Sequence, residues 1–325
     1  MLTVAVMSLI ACSKEHEAVG PHDVYLSPRM QSAVTVSRAE TYTSISNHFS
    51  AAEITAHIAN EGNSIKAEYA VGYSNGSYTS SIKLENDRYY CYAYMPSDVY
   101  TDGAFDYENH VLTIANVPTI NAAPLIVALP QSFSINGKAE TIGLKMNQSM
   151  GKVTLRFVLP EPYASMRQIE ITDVKVTTPG NTPLNTAVVT YEGTGFTTAW
   201  TNTEGTGHTY ATVAYTGTQV SIGYPDTQKA LQLKTTPQEF GACYIVPGTE
   251  ARLQLEVTYN VYDMEKYETR HEAKAVNSKI QISPRNSDEP YIIEAGKNYM
   301  LNISVLPTYL YALSDFDLSS PHIML

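Results

Sequence analysis

The chain is written in period two. In ARLQLEVTYNVYD, which begins at Ala251, Leu253, Leu255, Val257, Tyr259 and Val261 alternate with Gln254, Glu256, Thr258 and Asn260. An extended backbone puts all five apolar groups on one face. The same alternation runs through KVTLRFVLP, with Val153, Leu155 and Phe157 against Thr154 and Arg156. It recurs in KNYMLNISV, with Tyr299, Leu301, Ile303 and Val305 against Asn302 and Ser304. Strands that are apolar on one side only predict antiparallel pairing, because a parallel sheet covered on both faces reads as an unbroken apolar run. Turn signals punctuate them: SNGS at Ser74 to Ser77, Asn136-Gly137, PGN at Pro179 to Asn181 and PGT at Pro247 to Thr249. Short strands between such turns predict sandwiches or barrels. Helical periodicity is absent beyond a short turn near Tyr163 to Arg167, so the expected fold class is all-β.

The segment PQSFSINGKAE, from Pro130 to Glu140, is polar and turn-rich, with complete strand patterns on both sides. It predicts two domains, residues 23–136 and 137–325, which suits a length of 325 residues. The second is expected to carry longer loops, notably the Gly/Thr-rich TYEGTGFTTAWTNTEGTGHTY that holds the only tryptophan, Trp200. No short repeat of the solenoid or propeller kind is present.

The N-terminus departs from this pattern. Leu2 to Ala11 carries no charged side chain, yet it is about half of the roughly 20 residues a helix needs to span a bilayer. A short apolar run ending in small residues is the layout of a secretory signal peptide, here residues 1–11, followed by Cys12. The tetrapeptide LIAC resembles the lipobox of bacterial lipoproteins, in which the cysteine thiol takes a diacylglycerol and the signal is cut in front of it. Several acyl chains on one residue hold a protein at a membrane far better than one. Residues 12–22 then form a tether, and Ser13, Lys14, Glu15, His16 and Glu17 resemble the acidic tag that sends some lipoproteins to the outer face of the outer membrane.

Composition narrows the function. Against 21 basic residues stand 32 acidic ones, giving a formal charge of -11, which repels a phosphate backbone in the absence of a basic cluster. None is present, so nucleic acid is not an expected partner. With Cys12 set aside, Cys91 (in YYCYAY) and Cys243 (in GACYIV) sit in apolar strand contexts. They are expected as lone buried thiols, and no disulfide framework is expected.

The standard catalytic and metal-binding patterns are missing: no GxSxG, HExxH, CxxC or P-loop occurs, and His208 and His271 are isolated. Asp102, Asp106 and Glu108 in TDGAFDYENH could offer oxygen ligands, but their spacing is not that of an EF-hand, and a solvated hairpin tip is expected. No enzyme activity, metal or cofactor is therefore expected. Tyrosine is over-represented, with 24 residues. In DRYYCYAYMP, Tyr90, Tyr92 and Tyr94 share one strand face, and Tyr89, Cys91, Ala93 and Met95 share the other. The tyrosine face is open to two interpretations: a strand whose rings are buried with wet hydroxyls, or a platform on which sugars stack.

Taken in order, several segments resemble the fimbrillin family of Gram-negative anaerobes, lipoprotein-derived pilus subunits with their tip and anchor proteins. They are the lipobox, an early strand ending in Ser37-Arg38-Ala39, YYCYAYMP, the strand pair TIGLKMNQSMGKVTLRF and the late AGKNYMLNISV. The resemblance implies two tandem Greek-key β-sandwich domains of transthyretin-like topology. It also implies export as a lipoprotein, cleavage by an arginine-specific protease, here between Arg38 and Ala39, and assembly by donor-strand exchange. The strand so removed would include VYLS and AVTVS, with Val24, Leu26, Val34 and Val36 alternating. The tail TYLYALSDFDLSSPHIML is the candidate donor, with Tyr309, Tyr311 and Leu313 on one face, although Asp315, Asp317 and the Ser-Ser-Pro element interrupt it, so that tip and anchor roles stay open beside a stalk role. The implied partners are other pilus subunits, the outer membrane through the lipid, and ligands on host or bacterial surfaces. The alternative is a surface glycan-binding lipoprotein in which exposed tyrosines and Trp200 stack sugars.

Overall fold

A computed structural model describes residues 20–31, 42–44, 52–74, 77–79, 82–161, 163–165, 167–178, 184–202, 210–220, 228–250, 252–263, 269–281 and 292–305. In chain order the first strands are β1 (His22–Gln31), β2 (Tyr42–Ser44), β3 (Ile54–Asn60), β4 (Lys66–Ser74), β5 (Ser77–Thr79), β6 (Ile82–Leu84), β7 (Arg88–Met95), β8 (Gly103–Asp106) and β9 (Val111–Ile114). The middle of the chain forms β10 (Ile120–Asn121), β11 (Ile126–Ala128), β12 (Gln131–Ser134), β13 (Glu140–Gln148), β14 (Gly151–Val158), β15 (Arg167–Thr177), β16 (Thr186–Glu192) and β17 (Gly195–Thr201). Then come β18 (Tyr210–Val213), β19 (Leu231–Gln232), β20 (Gln238–Ile245), β21 (Arg252–Asp263), β22 (Thr269–Gln281) and β23 (Asn298–Ser304). The only helical piece among the described residues is a 3-10 turn at Tyr163–Ser165. The described residues are nearly all β.

The largest sheet has the order β2-β1-β13-β11-β7-β3-β4-β5, with β12 also on β7 and β6 also on β1. It curls, so that Tyr78 from one end and Ile82 and Leu84 from the other enter the same core as Ile54, Ile58 and Leu144. A second core is enclosed by the sheet β10-β20-β14-β23 and the sheet β18-β15-β21-β22, with β19 beside β15. Val153, Leu155, Phe157, Leu255, Tyr259 and Val261 all lie in it, on the faces that the alternation predicts. A fourth sheet, β17-β16-β9-β8, covers the outer face of β7. Between the two lies a third core that includes Tyr92, Tyr94, Leu112, Ile114, Val189 and Tyr191.

Two expectations change. Pairing is not wholly antiparallel: β1 runs parallel to β13 from Val24 opposite Glu140 to Met30 opposite Met146. Likewise β23 runs parallel to β14 from Asn298 opposite Lys152 to Ser304 opposite Val158. Alternation reports which face is buried, and a strand covered on one face only keeps its period whichever way its neighbour runs. The Gly/Thr-rich segment is also not all loop. Thr186 to Thr201 forms the hairpin of β16 and β17, closed between Glu192 and Gly195, with Gly193 at φ +58°. Threonine and the aromatic residues there favour strand, and Gly193 supplies the positive φ that a two-residue hairpin turn demands.

The expected boundary at residue 137 falls between β12 and β13. Gly137 adopts φ +73° there, and its N-H donates to Asn86 Oδ1 at 2.7 Å. β13, beyond that point, is hydrogen-bonded to β1 and β11 in the first sheet. The acidic segment forms the β8 and β9 hairpin as expected, and Asp106 organises its tip. Its Oδ1 accepts from the N-H groups of Glu108 and Asn109 and its Oδ2 from the Asn109 amide. These bonds hold its carboxyl below the usual range.

Candidate strand-exchange site

β1 is seated in the first sheet with one face in the core and one face outward. Its inward side chains Val24, Leu26 and Met30 are 0%, 4% and 7% exposed, and Pro28 between them is buried too. Asp23, Tyr25 and Arg29 point outward, with Tyr25 among the most exposed large hydrophobic residues. This is the alternation HDVYLSPRM written onto a strand with one wet face. Burying each of the three apolar side chains stabilises the strand by about 2 kcal/mol.

The two edges of β1 differ. Along β13 the ladder is continuous for seven register pairs, Val24 to Met30. On the opposite edge the pairs among the described residues lie toward the two ends. His22, Asp23 and Val24 pair with Leu84, Lys83 and Ile82 of β6, and Arg29, Met30 and Gln31 pair with Ser44, Thr43 and Tyr42 of β2. From Tyr25 to Pro28 that edge has no strand partner among the described residues. Pro28 stands opposite Leu144 of β13. The ion pair of Asp23 with Lys83, at 3.8 Å with both side chains at least half exposed, adds little.

Without β1, the sheet would present the free edge of β13, with the empty pockets of Val24, Leu26 and Met30 beside Ile142, Leu144 and Met146. Unpaired N-H and C=O groups next to apolar pockets at every second position form the receiving half of a strand-addition site. Tyr78 flanks the same core. Its ring lies 5.0 Å from that of Tyr73, and burial, followed by the nearby Tyr73 and Asp98, pushes its hydroxyl up to about 12.

Of the residues singled out in the sequence, Val24 and Leu26 are brought together here. Cys12, Val34, Val36, Arg38, Ala39, Tyr309, Tyr311 and Leu313 lie outside the described residues. Cys91 and Cys243 are buried free thiols, each pushed up to about 12 by burial, and they are inert as nucleophiles at neutral pH. The two faces of β7 divide as the sequence divides them: Tyr89, Cys91, Ala93 and Met95 enter the first core, while Tyr92 and Tyr94 enter the third and Tyr90 packs against it. Tyr92 stacks on Phe105 with centroids 4.7 Å apart, and the β8, β9 and β16 strands cover this face. Tyr92 and Tyr94 are 4% and 3% exposed, so neither presents a ring to a ligand. Trp200 is half-buried on β17 and packs against the same core. Sequence reasoning did not find that β1 runs parallel to β13, because alternation reports the buried face of a strand and not its neighbour.

No family model matches the chain, and no curated protein does. Among solved structures it is similar to a fimbrial protein from Bacteroides vulgatus, at 14% identity over 88% of this chain and 95% of that one, with a TM-score of 0.49. It is also similar to the fimbrial anchor protein Mfa2 from Porphyromonas gingivalis, at 12% identity over 79% and 83% of the two chains, with a TM-score of 0.32.

Proposed function

We propose that this protein is a structural and adhesive component of a cell-surface pilus, exported as a lipoprotein through Cys12 and joined to its neighbours by strand exchange at the β1 slot. The observation that carries this is the seating of β1: one continuous parallel ladder along β13 and three side chains plugged into core pockets. Cleavage between Arg38 and Ala39, downstream of β1, would free the strand from the body and leave the receiving edge of β13. The ordered motifs that resemble fimbrillins support the same role, and with it a description of the two large cores as tandem Greek-key sandwiches of transthyretin-like topology. Joining subunits by backbone pairing asks no catalysis of the chain.

The test is digestion of the purified chain with an arginine-specific protease, followed by N-terminal sequencing and native mass spectrometry. The expected result is one discrete product beginning at Ala39, release of the segment containing β1, and then oligomers. Arg38→Lys should abolish all three. Random fragmentation, or a clean cut that leaves a permanent monomer, counts against the role.

A further inference from the structure

The two large cores are joined by more than the passage of the chain. β9 pairs with β16, with Val111, Leu112, Thr113 and Ile114 opposite Thr190, Val189, Val188 and Ala187. The sheet β17-β16-β9-β8 is thus built half from residues before β13 and half from residues after β15. A second exchange runs the other way. Ile120 and Asn121 of β10 pair with Ile245 and Tyr244 of β20, so an early segment completes a sheet of the second core.

Backbone hydrogen bonds pin the crossing points. Val117 N-H donates to the Asn185 carbonyl at 2.8 Å and Val246 N-H to that of Thr119 at 2.9 Å; Ser149 N-H donates to that of Leu125 at 2.9 Å and Gly296 N-H to that of Met150 at 3.0 Å. Between them sits the third core, where Leu112, Ile114, Val127, Met150, Val189 and Val246 are all 0% exposed. Contacts between domains of one chain are ordinarily polar and permit relative motion. Here the contact is a shared sheet over a buried core.

We propose that this shared sheet and the core beneath it are a clasp that makes the two large cores one cooperative unit, so that neither unfolds without the other. A chain that must transmit tension while one of its strands is exchanged would gain from this, because an opening of the first core would also require opening the second.

Native-state hydrogen exchange of the full chain tests the clasp, followed in peptides from β3 for the first core and β21 for the second. Ile58→Val weakens the first core and Ile171→Val the second, each enough to speed globally limited exchange roughly fivefold. With the clasp intact, each variant should accelerate the slowest amides of both β3 and β21 by the same factor. Acceleration confined to the mutated core overturns the proposal. Adding Val189→Asp should abolish this reciprocity, and reciprocity that survives in a folded Val189→Asp protein also overturns it. If that variant does not fold, Val189→Ala takes its place and must speed β3 and β21 alike; acceleration in only one of them, or in neither, refutes the clasp.

Discussion

His57 and Phe105 stack ring on ring, with centroids 5.0 Å apart and 15° between their planes. His57 lies on β3 and is 1% exposed; Phe105 belongs to β8, in the sheet that covers it. Nδ1 of His57 is 3.6 Å from Oε2 of Glu68, but neither ring nitrogen has a hydrogen-bond partner. Burial pushes the imidazole down from 6.5 to about 4.

A pH dependence follows. Because the folded pKa lies below the unfolded one, the unfolded chain binds the extra proton first as pH falls. Stability from this site is therefore complete above about pH 6.5 and is lost between there and about pH 4, by roughly 3 kcal/mol in all. Urea unfolding of wild type and His57→Phe should diverge over that window, with the wild type losing more. Parallel curves for the two proteins would show that His57 is not the group responsible.

Tyr191 makes the opposite kind of prediction. Its ring is 6% exposed in the third core, in an edge contact with Tyr92 at 4.8 Å, yet its hydroxyl is buried without a hydrogen-bond partner. Burial raises its pKa well above the usual value. Tyr191→Phe should keep the ring contacts, remove an unsatisfied polar group and stabilise the protein by about 1 kcal/mol. A loss of stability in chemical denaturation would point to a buried water bonded to that hydroxyl.

Gly241, on β20, faces the carbonyl oxygen of Ala214, which an added Cβ would approach to 2.5 Å. It also lies at an irregularity, where Leu155 opposes Gly241 but Arg156 opposes Glu239. The obstacle is backbone, so a rotamer change cannot relieve it. Gly241→Ala should cost about 2 kcal/mol or more, measurable as a lowered urea midpoint with an unchanged slope.

Leu26 separates strand exchange from ordinary core packing. In the uncut chain Leu26→Ala should cost about 2 to 4 kcal/mol. Once the bond between Arg38 and Ala39 has been cut, with no further step to strip off the freed segment, the remaining body should show the same stability whether it came from wild type or variant. A difference between the two cut bodies would mean that β1 stays bound after cleavage, which removes the basis for exchange.

Much of this architecture was legible in the chain. The inward faces of β14 and β21 and the split of β7 into two faces follow from period-two alternation, because each strand buries what it alternates. The hidden part is what a strand lies beside. Nothing local in Val111 to Ile114 or in Ala187 to Thr190 tells that these segments pair, and the third core exists only once they do. For the same reason the face of Tyr92 and Tyr94 reads equally as platform or as interior until its covering sheet is known. The proposed strand-exchange site was half visible: Val24 and Leu26 alternate as a strand with one buried face does, but that β13 is the neighbour of β1 depends on the fold as a whole.

β13 and β14 are separated only by Ser149 and Met150, so a single stretch of backbone is stitched into the first sheet and then into the second. Traction along that stretch acts lengthwise on the parallel ladders with β1 and β23, whose bonds must then give way together. A hairpin pulled from its open end would instead unzip one rung at a time.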